Sequence, residues 1–222
     1  MTALPTAVRL TLVTLAPGRA EEADSAKAAH RRQIRAARRE RMAHGDTPIS
    51  AQPLLDLLAH PPGPAHRSVA CYLSMPGEPD TQAIIDALHE AAIPILVPRV
   101  HGPDLTWHEL TPTTPIGNSS RGPAIREAMS PSQPAGALSQ CSMIVLPALA
   151  ADRRGHRLGQ GGGYYDRALA GIARMPPAQR PRLIAVVFNA ELMDSFPNDL
   201  HEPHDVMVDA VLTESGLVIC QG

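Results

Sequence analysis

Residues 152–167 read DRRGHRLGQGGGYYDR, the segment richest in groups that could do chemistry. Its four closely spaced glycines, Gly159, Gly161, Gly162 and Gly163, lack the Cβ atoms that hold a ligand away from the main chain. They lie between an apolar run and a helical pattern beginning at Tyr164, where open α/β sheets carry ligand loops. Main-chain N–H groups there, with the positive end of the following helix dipole, favour an anion. Arg157 adds a guanidinium that can grip a phosphate through two parallel hydrogen bonds. The loop is not a Walker A motif, because no Gly-Lys-Ser/Thr closes it, and it is not GxGxxG. A plain glycine linker is the competing reading, and the aromatic pair and acid that follow directly weigh against it.

Carboxylates come next. Asp166 lies in the first turn of the proposed helix, where it either offsets the helix dipole or holds Mg²⁺. A second metal carboxylate would come from Asp205 or Asp209, and spacing does not choose between them. The neighbouring HEPHD is not HExxH, and Pro203 opposes the helix that would put two histidines on one face, which argues against zinc. Glu78, in SMPGEPD, again falls between a strand end and a helix start. It serves either as a favourable charge before a helix or as an acceptor for ligand N–H groups. Tyr72 and Trp107 either stack on a ring or fill the core.

A cationic element precedes all of these. Residues 27–41, KAAHRRQIRAARRER, hold seven of the twenty Lys and Arg residues and a single acid. They are strong helix formers, and Lys27, Arg31, Arg35 and Arg38 fall on one stripe at helical spacing. A solvated basic face, a nucleic-acid patch and an arm for a phosphate ligand all fit that pattern.

The remaining chain must position these groups. Apolar strand patterns at 68–73, 93–97, 143–146, 183–188, 210–212 and 217–220 alternate with helical patterns at 81–92 and 164–173. That alternation predicts a single α/β domain over 25–222, with an open, mostly parallel sheet flanked by helices and the basic helix leading in. Residues 1–24 read as a flexible extension, 60–64 as a Pro-rich link, and 98–140 mostly as loop with one short strand at 107–110. Hydrophobic residues make up 44% and charged ones 19%, which excludes wholesale disorder; aromatics at 3% leave the core to aliphatic side chains. A net charge of −2 argues against a surface given over to nucleic acid or anionic lipid. Three dispersed cysteines suit a reduced, cytoplasmic protein. No apolar run approaches the ~20 residues of a membrane span, and residues 8–16 make a poor signal peptide.

Taken in order, Lys27-x-x-x-Arg31, the block 72–81, the glycine loop 155–167 and the block 202–209 resemble the 5-formyltetrahydrofolate cyclo-ligase family, over about residues 27–217. The RLGxGGGYYDR string is the most specific part. The resemblance implies ATP-dependent closure of 5-formyltetrahydrofolate to 5,10-methenyltetrahydrofolate with Mg²⁺, through a phosphorylated formyl group. It implies that Lys27, Arg31, Arg157, Leu158, Gly159, Gln160, Gly161, Gly162, Gly163, Tyr164 and Tyr165 hold ATP. Asp166 and Asp209 would hold Mg²⁺. Leu73 and Glu78 would line the pterin pocket, with Gln160 to Tyr164 facing the folate and its formyl group. Arg157, Gln160 and Tyr164 would be catalytic. It further implies a small-molecule partner, a folate with a glutamate tail of one or more residues, and neither nucleic acid nor membrane; a monomer is expected. The chain departs from the family pattern at Gln160, where relatives carry an aromatic or basic residue, at Gly162, where some carry Lys, and at His30, which replaces Leu.

Three other readings remain at this point. One is a weak homologue that binds folate or nucleotide as a sensor or buffer, although such a binder has no need of Asp166, Asp209 and Glu78 together. Another is an isomerase or CoA-transferase relative using a carboxylate without ATP. The last is a basic-arm nucleic-acid binder, whose affinity would fall steeply with salt.

Overall fold

The computed structural model describes residues 19–42, 48–59, 68–197, 200, 202 and 205–221. Helices α1 (Arg19–Met42) and α2 (Gln52–Ala59) precede strand β1 (Val69–Ala70), helix α3 (Gln82–Glu90) and strand β2 (Ile95–His101). Strands β3 (Asp104–Leu110), β4 (Ile116–Ser119), β5 (Gly122–Ala128), β6 (Met143–Pro147), β7 (Ala150–Asp152) and β8 (Arg157–Leu158) follow. The chain ends with helix α4 (Tyr164–Leu169) and strands β9 (Arg182–Val186), β10 (Leu192–Met193), β11 (Ala210–Thr213) and β12 (Gly216–Ile219).

Seven strands form the main sheet in the order β12-β11-β9-β6-β1-β2-β3. The central strands β11, β9, β6, β1 and β2 run parallel, and β12 and β3 pair antiparallel at the two edges. Alternate residues of the parallel strands enter two separate cores, because side chains alternate across a pleat. On one face Val69, Ile95, Met143, Val145 and Ile184 meet Leu54 of α2 and Ile84, Ile85 and Leu88 of α3. On the other, Ala70, Leu96, Ile144, Leu146 and Leu183 meet Leu169, Ile172 and Trp107. The predicted open, mostly parallel sheet flanked by helices is therefore present, with mainly aliphatic packing.

Several boundaries differ from expectation. Residues 98–140 are not mostly loop: β2 runs through to His101 and pairs with all of β3, and β4 and β5 form a second hairpin. Pro98 marks no strand end, because β1 pairs only with Ile95 and Leu96, and beyond them β2 and β3 project as a ribbon with one free side. The β4–β5 hairpin exposes residues on both faces and so carries no alternating apolar signal. The helix expected at 164–173 stops at Leu169 and continues as a separate 3₁₀ turn at Ile172–Arg174. Helix α1 begins at Arg19, within the segment expected to be an extension; residues 1–18 and the Pro-rich link 60–64 lie outside the described residues. Among the described residues no helix is long and apolar enough to cross a membrane.

Candidate active site

Strand β1 lies between β2 and β6, so the chain leaves it in one direction and later returns on its other side. Loops at the carboxyl ends of such neighbours diverge and leave a crevice, the usual ligand position in open sheets. Here the crevice is a cavity of about 450 Å³. The segment after β1 brings Tyr72, Leu73 and Glu78 to its wall, and the segment after β6 brings Arg157, Leu158, the glycine run, Tyr164, Tyr165 and Asp166. Helix α1 brings Lys27 and Arg31. All the sequence-predicted site residues except Asp209 therefore meet in one place.

The glycine loop hangs from the β7–β8 hairpin, and Asp152 holds that hairpin. Its fully buried carboxylate accepts the main-chain N–H groups of Arg154 (3.0 Å), His156 (2.9 Å) and Phe196 (2.8 Å), and bonds the His156 ring at 2.9 Å. Burial alone would push its pKa up, but these bonds outweigh it and hold the carboxyl below its ordinary value. Gly155 has φ +100°, and a Cβ there would stand 2.5 Å from the Val208 carbonyl oxygen. At Gly163, φ is +65° and a Cβ would meet Arg167 Nη1 at 2.7 Å. The loop's glycines thus answer its own packing as well as the needs of a ligand. Asp166, in the first turn of α4, forms an ion pair with Arg157. Arg157 is nearly buried, and its Nε donor has no partner among the described residues.

The stripe on α1 is no solvated face. Lys27 Nζ reaches Glu202 at 2.9 Å and Asp205 at 3.2 Å. Burial lowers its pKa, yet the two carboxylate bonds prevail and the ammonium stays above its ordinary value. Arg31 Nε donates to the Gly159 carbonyl at 3.1 Å. One turn on, Arg35 donates to the side-chain and main-chain oxygens of Gln160. Arg38 is buried, donating to both Glu191 oxygens at 2.7 Å and to Ala148 O at 2.7 Å. Spacings of four, four and three residues set Arg31 and Arg35 against the glycine loop, Lys27 against the carboxylates of Glu202 and Asp205, and Arg38 against Glu191 and Ala148.

Glu78 is 9% exposed; it accepts the Met75 N–H at 3.1 Å and, more weakly, the Gln160 amide at 3.5 Å. Burial raises its pKa, while Met75 N–H, Arg38 and Gln160 pull the other way without cancelling the rise. Tyr72 is buried beside it and donates to Pro79 O at 3.2 Å. Trp107 packs edge-on against Tyr165, with ring centroids 6.5 Å apart, and so belongs to the core.

Two placements depart from the sequence reading. Asp209 is absent from the cavity: it sits where β11 begins, binds Arg180 through both oxygens (2.6 and 2.8 Å) and accepts the Leu183 N–H at 2.8 Å. That is the amino end of the parallel strands, whereas Asp205 lines the cavity. The β4–β5 hairpin, read as loop, instead supplies cavity wall through Ile125, Arg126 and Glu127, and its tip residue Arg121 donates to the Tyr164 hydroxyl. Nothing in its residue spacing signals this, because the contact joins segments far apart in the chain.

The 5-formyltetrahydrofolate cyclo-ligase family model matches residues 23–214. The chain belongs to that family. It is similar to the 5-formyltetrahydrofolate cyclo-ligase of Mycolicibacterium smegmatis, at 35% identity over 153 residues, 66% of this chain and 73% of the relative. The Escherichia coli protein of the same name is 26% identical over 185 residues, 82% of this chain and 97% of the relative. Among solved structures, the 5,10-methenyltetrahydrofolate synthetase of Aquifex aeolicus aligns with a TM-score of 0.66 at 21% identity, covering 88% of this chain and 93% of that one. That likeness bears on the fold, whose sheet order creates the cyclo-ligase crevice described above.

Proposed function

We propose that this cyclo-ligase converts 5-formyltetrahydrofolate to 5,10-methenyltetrahydrofolate with consumption of ATP and release of ADP and phosphate. The observation that carries this reading is the Arg157 Nε donor, buried at the cavity wall beside the glycine loop without a partner among the described residues. A buried donor is rarely left unpaired, and an anionic oxygen from a bound triphosphate would satisfy it.

The formyl oxygen attacks the γ-phosphorus and ADP departs. The p-aminobenzoyl nitrogen then attacks the activated carbon and loses its proton, and phosphate leaves with the former formyl oxygen. An amide oxygen is a poor leaving group until phosphorylated, so the protein's work is to position the two substrates and to stabilise charge. Lys27, Arg31 and Arg157, with Leu158 to Tyr165, surround the triphosphate. Leu73 and Glu78 receive the pterin, Glu78 accepting its ring N–H groups. Gly161, Gly162, Gly163 and Tyr164 close the wall around the formyl group, and Gln160 stands between the two subsites. Asp166 and Asp205 are hard oxygen donors on the same cavity and fit Mg²⁺, which takes one or two carboxylates beside phosphate oxygens and waters. When bound, the ion would neutralise phosphate charge beside Asp166 and Asp205. Exposed Arg121 and Arg126 favour folates with acidic tails. The reading includes a monomer working in the cytoplasm.

The test is the growth of methenyl-folate absorbance with purified protein, 5-formyltetrahydrofolate and MgATP, against controls omitting each. Growth that needs all three is expected. A flat trace with folate binding intact by calorimetry would overturn the reading in favour of a sensor.

A further inference from the structure

Three of the four cations on the α1 stripe have partners that explain them: Lys27 with Glu202 and Asp205, Arg31 with the loop, Arg38 with Glu191. Arg35 is different, because its bonds end on a side chain that leads to the other subsite. Its Nε (3.1 Å) and Nη2 (2.9 Å) both donate to Gln160 Oε1, and Nη2 also donates to the Gln160 main-chain oxygen at 2.9 Å. A guanidinium has donors only. The amide oxygen of Gln160 must therefore face Arg35, which turns Nε2 toward Glu78 Oε1, 3.5 Å away. In the opposite orientation an NH₂ group would face the guanidinium and a carbonyl oxygen would face the carboxylate, two repulsive contacts in place of two attractive ones.

We propose that Arg35 is a positioning residue for the folate pocket: it fixes the Gln160 amide so that Gln160 donates to Glu78 and holds that carboxylate where the substrate's N–H groups meet it. The inference rests on the folate reading of Glu78. It connects the helix on the phosphate side to the pterin side through two side chains and uses the residue at which this chain departs from its family's pattern. The Glu78–Gln160 bond is long, so among the described residues Arg35 is what holds the amide in the donating orientation. Gln160 is exposed, and its free rotamers would otherwise be solvated.

Steady-state kinetics on Arg35→Ala, Gln160→Ala and the double variant decide it. Each single change is expected to raise the KM for 5-formyltetrahydrofolate about three- to tenfold, the range of one ordinary hydrogen bond, and Arg35→Ala should leave the KM for ATP within about twofold of wild type. The double variant should be no worse than either single one, since both remove the same link. Arg35→Lys keeps the charge but cannot span two oxygens in one plane, and should resemble Arg35→Ala. A raised KM for ATP with unchanged folate KM in Arg35→Ala would make Arg35 a phosphate ligand and overturn the proposal. Multiplying effects in the double variant, or full rescue by Lys, would overturn it too. Wild-type methenyl formation, measured first, tests the functional reading separately. If it is absent, calorimetric affinities of the same proteins for 5-formyltetrahydrofolate decide the role of Arg35 on the same criteria.

Discussion

With one main-chain N–H and a weakly held amide to satisfy it, the buried Glu78 carboxyl stays above its ordinary 4.5. A carboxyl raised in the folded state favours the fold below its unfolded value and loses that contribution as pH rises through the folded pKa. At pH 7 the ionised group therefore opposes folding, and Glu78→Gln should raise Tm there while abolishing folate binding. Calorimetric scanning beside folate titration checks both halves; a lower Tm would show that Glu78 is instead a structural anchor. In the wild type, folate KM should climb on the acid side with a midpoint above 4.5, and the charges meeting Glu78 there are Arg38, the Met75 N–H and the Gln160 amide. The position of Glu78 was legible in the sequence, since SMPGEPD sits between a strand pattern and a helix pattern. Its contact with Gln160 was not, because it exists only once β1 and β6 are neighbours.

Helix α1 reaches the site because Arg38 clamps it to Glu191, and both side chains are buried. Removing one member of a buried pair leaves an unpaired charge, so Arg38→Ala should cost about 3–5 kcal/mol in urea unfolding. The double change Arg38→Met with Glu191→Leu should cost less than the single one, because no charge is then stranded. The cationic stripe could be read from the 3.6-residue period alone, since all four residues project from one side. What it touches could not: a basic stripe looks the same whether it faces water, nucleic acid or a buried glutamate. Strands β7, β8 and β10 were invisible for a plainer reason. At two or three residues each, they are shorter than any period can register. The hairpin they support depends on Asp152, whose depressed pKa means its contribution is complete above 3.8 and fades as pH falls through the lower folded value. Asp152→Asn should accordingly lose stability at pH 7 and flatten the acid limb of the stability curve.

Across the whole molecule, the parallel strands separate two carboxylates that the sequence placed four residues apart. Asp205 reaches the crevice at the carboxyl ends, while Asp209 is held by Arg180 at the amino ends. Only sheet order makes that distinction, which is why the fold class was readable from alternating patterns and this assignment was not. Asp205→Asn should raise the KM for MgATP by an order of magnitude or more, whereas Asp209→Asn should leave it unchanged and lower Tm. Because the family match begins at residue 23 and the site contacts of α1 begin at Lys27, deleting residues 1–18 should leave kcat/KM within about twofold. The chemistry proposed for the crevice requires that the formyl oxygen leave on phosphate. The most direct measurement is single turnover with ¹⁸O in the formyl group and mass analysis of the released phosphate. The account predicts one ¹⁸O atom in each phosphate formed; unlabelled phosphate with the label in water would contradict it.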